Sequence, residues 1–180
     1  LFNRFEKVVI EQHENYRKGS YRNRCHIVGA NGITRLSVPL IKGKNEQQNI
    51  QETAIFWNDP WAKRHWKTIQ SAYGNAPYFE FYADELKPFF EKKYTHLFEW
   101  NKDLIIKLLE LLQLDGQLEF TDRFEKEPST PIVDYRNIIS PKNKVQNLDT
   151  DFTPLPYVQV ISEKHGFLSK RRHLFPFFLH

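Results

Sequence analysis

Residues 20–26, Ser-Tyr-Arg-Asn-Arg-Cys-His, carry a concentration of groups that could bind or transform a charged ligand. If this segment is an extended strand, Arg22 and Arg24 project from the same face, with Lys18 close by in sequence. Guanidinium groups bind phosphate and carboxylate groups through paired hydrogen bonds, so this row predicts a site for an anionic ligand. The alternative is a solvated strand face, or salt bridges to Glu11 or Glu14 from the adjoining strand.

The opposite face of the same segment is more apolar. Asn23 falls there, where its amide needs hydrogen-bond partners; it either ties down a neighbouring segment or contacts a ligand. Cys25 has the parity of a core residue, which favours an inert buried thiol over a nucleophile. His26 points with the arginines, whose charge disfavours its protonation. A neutral His26 is either a surface residue or a general base.

Two further histidines are candidates for proton transfer. His65 lies on a stripe that repeats every four residues from Trp61 to Tyr73, so it faces inward. It is either a hydrogen-bonded core histidine or a general base at the edge of a pocket. Glu11 and His13 alternate on one side of the first strand and could form a carboxylate–imidazole pair at its carboxyl end, where ligand sites of α/β proteins lie.

The composition limits the classes of protein that this sequence can represent. A chain of 180 residues, 40% hydrophobic and 27% charged, is sufficient for one globular domain. The net charge of +4 and the pI of about 9.1 are mildly basic. The single cysteine excludes an internal disulfide and is typical of a reducing compartment. We find no metal-ligand spacing, glycine-rich phosphate loop, nucleophile elbow, secretory signal or membrane-spanning run.

The elements that must position these residues form an α/β fold: a mixed sheet that contains a β-hairpin and packs against three central helices. Residues 8–12 predict a strand covered on both faces, preceded by the end of a helix at residues 1–5. Asn31-Gly32 predicts a hairpin turn between two strands, and residues 50–55 form a weak strand.

Three helices follow, and their ends are marked by specific residues. The first begins at Asp59-Pro60 and ends at Gly74, and the second lies between Pro77 and Pro88. The longest runs from Thr95 to Asp115. Residues 118–121 and 157–161 predict strands, separated by a long proline-rich loop at residues 122–156.

Several separated motifs resemble those of the WbqC-like family. They are Lys18-x-Ser20-Tyr21-x-Asn23-Arg24, Trp61-x3-His65-Trp66-x2-Ile69-x2-Ala72-Tyr73-x2-Ala76-Pro77-Tyr78-Phe79, Asp134-Tyr135-Arg136, Ser140-Pro141-Lys142, Tyr157-x-Gln159-Val160 and His165-Gly166-Phe167. The resemblance covers Val8 to Phe167. It implies a single domain over residues 1–180 from which the family's first strand is missing and in which residues 168–180 form an atypical tail. The chain also lacks methionine and begins at Leu1, which favours a missing N-terminus.

The resemblance also implies a function. The family occurs in gene clusters for O-antigen and other surface polysaccharides and is thought to include glycine transferases, so we expect a cytoplasmic transferase of bacterial origin. Its substrate would be a small molecule, such as a nucleotide- or lipid-linked sugar, and no cofactor is indicated. We expect His65 or His13 to move a proton, and the ligand to contact Lys18, Arg22, Asn23, Arg24, Tyr73, Tyr135, Arg136 and Lys142.

Two other classes of protein remain open. Tyr16 and Tyr21, beside the basic residues, could stack on bases, which would give a nucleic-acid-binding module; the mixed charges make nucleic acid the weaker expectation. A non-catalytic scaffold in a polysaccharide assembly complex is the third class.

Overall fold

The computed structural model describes residues 2, 5–29, 31–41, 48–128 and 132–136. The strands are β1 (Lys7–Ile10), β2 (Arg24–Gly29), β3 (Gly32–Ser37) and β4 (Gln117–Phe120). The α-helices are α1 (Trp61–Tyr73), α2 (Phe79–Leu86), α3 (Pro88–Glu91) and α4 (Leu97–Leu111). Single turns of 3₁₀ helix occur at Tyr21–Asn23 and Ile50–Glu52. The predicted strand at residues 157–161, the tail and most of the proline-rich loop lie outside the described residues.

The α/β prediction is confirmed: within the described residues, parallel and antiparallel pairings occur in two separate two-stranded sheets. β1 pairs in parallel with β4, and Val8 lies opposite Leu118. The helices lie between these strands in sequence, as a parallel connection requires. The expectation that β1 is covered on both faces is wrong, because Val9 is 42% exposed. Alternate residues of β1 are exposed, which fits a strand with one solvated face.

The predicted hairpin is present between β2 and β3. Gly29 lies opposite Gly32, and the φ of +99° at Gly32 lies in the region that glycine adopts without strain. The strand begins later than predicted. Residues Tyr21–Asn23 form a 3₁₀ turn because the Ser20 side chain caps it, accepting a hydrogen bond from the Arg22 backbone N–H. Arg22 and Arg24 therefore do not share one strand face.

The three predicted helices are present, with small differences at their ends. Pro60 immediately precedes α1, while Asp59, the expected cap, instead pairs with Arg64 at 2.6 Å. α2 begins after Tyr78, and α3 adds one extra turn after Pro88. His96, rather than Thr95, precedes α4.

The core lies where α1 and α4 meet the segments after β3. It contains Val38, Ile50, Ile55, Trp61, Ala62, Tyr94, Leu97 and Trp100. The Trp61 ring lies edge-on to Trp100, with 5.9 Å between the ring centres. Residues 50–55 are not the predicted strand; a 3₁₀ turn is followed by isolated bridges from Ala54 to His96 and from Leu40 to Ile55.

Candidate functional site

The carboxyl ends of β1 and β4 hold a network of polar side chains. The Glu11 side chain is only 6% exposed. Its Oε1 atom accepts hydrogen bonds from the backbone N–H of His13 at 2.7 Å and from the Thr121 hydroxyl at 2.9 Å. The Gln12 side chain also binds Thr121, donating to its carbonyl oxygen at 2.7 Å. The network thus joins the ends of two parallel strands, the position at which α/β proteins bind ligands.

His13 is held in this network by its ring. The Nε2 atom lies 3.0 Å from the Thr121 carbonyl oxygen. A carbonyl oxygen can only accept, so a neutral His13 carries its proton on Nε2 and its lone pair on Nδ1. The expected carboxylate–imidazole pair is wrong, because Glu11 binds the backbone of His13 and not its ring.

Arg136 of the Asp134-Tyr135-Arg136 motif lies near the same strand ends. The Arg136 guanidinium binds the Asp134 carboxylate at 2.7 Å and the Glu125 carbonyl oxygen at 2.7 Å, and it lies 3.7 Å from Glu11. Its hydrogen bonds lower the pKa of the Asp134 carboxyl below the ordinary value. The Tyr135 ring meets Phe5 edge-on, with 5.9 Å between ring centres. Lys142 lies outside the described residues.

Arg22 is neutralised by a carboxylate of the neighbouring segment. Its Nε atom donates to Glu14 Oε1 at 2.6 Å, and its backbone carbonyl accepts from the Asn101 side chain at 2.8 Å. Both side chains of the ion pair are largely buried. The predicted alternative of a salt bridge to Glu14 is confirmed, and the role of Arg22 in ligand binding stays a prediction.

Arg24 has a different environment from Arg22. Its Nη2 atom donates to the carbonyl oxygen of Gly19, but its buried Nε atom has no hydrogen-bond partner among the described residues. Within the same described part of the chain, no carboxylate forms an ion pair with it. Burial, and then the charges of Arg24 and Arg35, lower the pKa of His26, which favours the neutral imidazole. Burial raises the pKa of Tyr16, against the opposing charges of Arg24 and Arg22.

Two small polar residues shape the loop that carries these arginines. The Ser20 hydroxyl donates to the Arg17 carbonyl at 2.7 Å, which closes the turn containing Lys18. The Asn23 amide donates to the Val38 carbonyl at 3.0 Å, and the Val38 N–H donates back to the Asn23 carbonyl at 2.8 Å. Asn23 therefore ties the start of β2 to the segment after β3. Its contact with a ligand stays a prediction.

His65 and Tyr73 belong to α1 and not to this polar network. Burial, and then the charge of Arg64, lower the pKa of His65 to about 4. Its ring lies 5.2 Å from that of Trp61, and no hydrogen bond to the ring occurs within the described ranges. The Tyr73 hydroxyl accepts from the Val28 N–H at 3.4 Å, at a separate apolar pocket. A base with a pKa near 4 accepts protons poorly at neutral pH, which argues against His65 as a general base. The role of His13 stays a prediction.

Cys25 has the character of a core thiol, as predicted. Burial raises its pKa to about 12, which keeps it protonated and unreactive at neutral pH.

Sequence reasoning missed the contribution of Thr121. This residue follows β4, and its hydroxyl and carbonyl oxygens bind Glu11 and His13, which are more than 100 positions earlier in the chain. The only available signal was the prediction that residues 118–121 form a strand, which places Thr121 at a strand end.

The part of the chain that the structure describes contains no helix long and apolar enough to cross a membrane. It also contains no group of three or more His, Cys, Asp or Glu side chains arranged to hold a metal ion.

The chain belongs to the WbqC-like protein family, whose sequence model matches residues 1–146. The resemblance in the motifs is thereby confirmed, although the landmarks at residues 157–167 lie beyond the matched range. The chain is similar to the uncharacterized protein Rv1507c of Mycobacterium tuberculosis, with 32% identity over 115 residues. These residues cover 63% of this chain and 49% of the relative, so the match spans about half of the relative's length. No solved structure matches the chain.

Proposed function

We propose that this chain acts as a transferase in the synthesis of a bacterial surface polysaccharide, and that it binds a phosphate-bearing sugar through Arg24. Membership of the WbqC-like family supports the class of pathway. The observation that carries the proposal is the state of Arg24: its guanidinium has a buried Nε atom without a partner and no paired carboxylate among the described residues.

A partly buried guanidinium without a counter-ion is costly, because the charge loses hydration and gains no compensating attraction. A phosphate group beside the guanidinium would supply the missing negative charge. Arg22 and Arg136 are already engaged by Glu14 and Asp134, so we assign them to holding the site rather than to the first contact with the ligand. Lys18, in the turn closed by Ser20, stays a predicted second contact.

We assign the proton transfer to His13. The Thr121 carbonyl holds the proton on Nε2, so Nδ1 can accept a proton from an attacking hydroxyl or amine of the sugar. For aminoacyl transfer, the attacking oxygen or nitrogen forms a bond to the carbonyl carbon of an activated ester or thioester of glycine. The bond to the carrier breaks, and the proton taken by His13 passes to the leaving group.

The test is calorimetric titration of the full chain with uridine diphosphate N-acetylglucosamine. We expect Arg24→Gln to weaken binding by about 10- to 100-fold, the usual contribution of a hydrogen bond to a charged group. The matched control is Arg35→Gln: Arg35 is an exposed arginine on β3 of the same hairpin, and its loss should leave the affinity unchanged. His13→Gln should retain binding and lose transfer to the sugar.

Equal affinity in Arg24→Gln and the unaltered chain would contradict the proposal. A steep fall of the affinity for the sugar nucleotide with added salt, together with an equally steep fall of the affinity for single-stranded nucleic acid, would also contradict it. A nucleic-acid-binding module behaves in this way. The absence of any binding would favour the scaffold class instead.

A further inference from the structure

Arg24 and His26 lie two residues apart on β2, so their side chains project from the same face of the strand. Cys25 and Ile27 project from the other face, where Ile27 is only 1% exposed. Two positions along a strand correspond to about 6.6 Å. Two charge-assisted hydrogen bonds of about 2.8 Å to neighbouring oxygens of one phosphate group span this separation. An anion that binds Arg24 on this face therefore lies beside His26.

Both side chains have nitrogen atoms that can bind such an anion. The Nη2 atom of Arg24 donates to the Gly19 carbonyl oxygen, while its Nη1 atom forms no hydrogen bond with any described residue. The half-buried His26 ring meets the Tyr21 ring edge-on, with 6.1 Å between ring centres. In the described part of the chain, the ring nitrogens of His26 form neither a hydrogen bond nor an ion pair.

The charged groups that act on His26 are cations. Arg24 precedes it on β2, Arg35 lies opposite it on β3, and Tyr21 of the preceding 3₁₀ turn packs against its ring. Burial, and then the charges of Arg24 and Arg35, lower the pKa of His26, so its imidazole is neutral at pH 7 in the free protein. Among the described residues, no carboxylate pairs with the ring to offset these two charges.

We propose that His26 binds the same phosphate group as Arg24 and takes up a proton when the phosphate binds. This role rests on the proposed anion site at Arg24, to which it adds a second binding residue and a dependence on pH. A bound phosphate places negative charge beside the imidazole, which favours the imidazolium. The proton comes from the solvent, and the N–H that forms donates to a phosphate oxygen. The affinity should therefore rise as the pH falls, whereas a site made of guanidinium groups alone keeps a constant charge.

The test is calorimetric titration of the full chain with uridine diphosphate N-acetylglucosamine at pH 8 and at pH 5.5. The diphosphate of this probe is esterified at both ends and does not titrate between these values, so a change in affinity reports on the protein. One unit of pKa corresponds to a tenfold change in affinity, and a neighbouring opposite charge supplies about one unit or more; we expect binding to be about five- to tenfold tighter at pH 5.5. At pH 6.5, the binding enthalpies in two buffers with different heats of ionisation should show uptake of part of a proton.

Two histidine variants separate the role of His26 from that of other titrating groups. His26→Gln keeps a side chain that can donate a hydrogen bond but does not titrate in this range. We expect it to bind the probe as tightly as the unaltered chain at pH 8, and to lose both the tighter binding at pH 5.5 and the proton uptake. The matched control is His96→Gln, which removes a histidine that precedes α4 and lies 3.9 Å from Glu99. Both effects should persist in this control.

The outcomes distinguish the anion site from the role of His26. If the probe does not bind, or if Arg24→Gln binds it as tightly as the unaltered chain at pH 8, both the anion site and the role of His26 are wrong. If Arg24→Gln weakens binding but the unaltered chain binds equally tightly at both pH values, only the role of His26 is wrong. Tighter binding at pH 5.5 that persists in His26→Gln, with circular dichroism confirming that this variant is folded, would also overturn it, because another group would then take up the proton.

Discussion

The His65 imidazole illustrates how burial sets the protonation state of one side chain. Its ring packs against Trp61 on the inward side of α1, and burial lowers its pKa to about 4. The nearby charge of Arg64 acts in the same direction, while Asp59 opposes it weakly. His65 is consequently neutral in the folded protein at any pH above about 5, which suits a residue that supports the aromatic core.

This environment predicts a pH dependence of stability. The unfolded chain protonates His65 below its ordinary pKa of 6.5, whereas the folded chain does so only near 4. The free energy of unfolding therefore falls as the pH drops from 6.5 towards 4. For this half-buried site, we expect about 1 kcal/mol to be lost between pH 7 and pH 5.

His65→Gln should remove that part of the pH dependence. Urea unfolding of both proteins at the two pH values measures it, and the contribution of His26 cancels in the comparison. If both proteins lost the same stability between pH 7 and pH 5, the neutral state of His65 would not be responsible.

At the scale of the elements, the β2–β3 hairpin places Arg24 at its open end and the glycine turn at its closed end. Arg24 lies opposite Ser37, and Gly29 lies opposite Gly32. The two glycines differ in backbone conformation. Gly32 has a φ of +99° and open space where a Cβ would lie, whereas the φ of Gly29 is outside the left-handed region.

This difference predicts the effects of two substitutions in the hairpin. Gly32→Ala should lower the free energy of unfolding by about 1 to 2 kcal/mol, because an L side chain is strained at this φ. Gly29→Ala is the matched control: its new methyl group would meet the Ala72 methyl at an ordinary 3.8 Å, and the change should stay within about 0.5 kcal/mol. Chemical denaturation measures both, and equal losses would contradict the argument from backbone conformation.

The same elements show which features local sequence patterns can predict. The four-residue repeat from Trp61 to Tyr73 and the Asn31-Gly32 pair correctly predicted α1 and the hairpin, because these elements depend on neighbouring residues. The alternation at Tyr21–Asn23 wrongly predicted a strand. A pattern of three residues does not distinguish a strand from a 3₁₀ turn, and the Ser20 side chain caps such a turn here. The ion pair of Arg22 with Glu14 was foreseen only as an alternative, since the loop path between them decides it.

At the scale of the whole molecule, the polar network joins three distant parts of the chain. Glu11 follows β1, Thr121 follows β4, and Arg136 lies beyond both. No local pattern indicates that these residues meet, because their contact depends on the parallel pairing of β1 with β4. The sequence therefore allowed His13 to be predicted as a candidate base, but it did not predict the contact of His13 with Thr121.

Glu11 contacts both Thr121 and Arg136, so its negative charge should stabilise the contacts among these three parts. Glu11→Gln keeps an oxygen that can accept from His13 and Thr121 but removes the attraction to Arg136. We expect the free energy of unfolding to fall by about 1 to 2 kcal/mol, the difference between charged and neutral hydrogen bonds. Trypsin should cleave after Arg136 about 5 to 30 times faster, since the same energy favours release of residues 132–136.

The matched control for this prediction is Glu119→Gln on β4. Glu119 also forms an ion pair across the parallel strands, with Lys7 at 2.6 Å, but half of its side chain is exposed. Such surface pairs contribute little, so the free energy of unfolding should change by less than about 0.5 kcal/mol. The rate of cleavage after Arg136 should change by no more than the factor that corresponds to this free energy. Cleavage after Arg136 that is equally fast in both variants would mean that the buried carboxylate does not hold the Asp134-Tyr135-Arg136 motif against the strand ends.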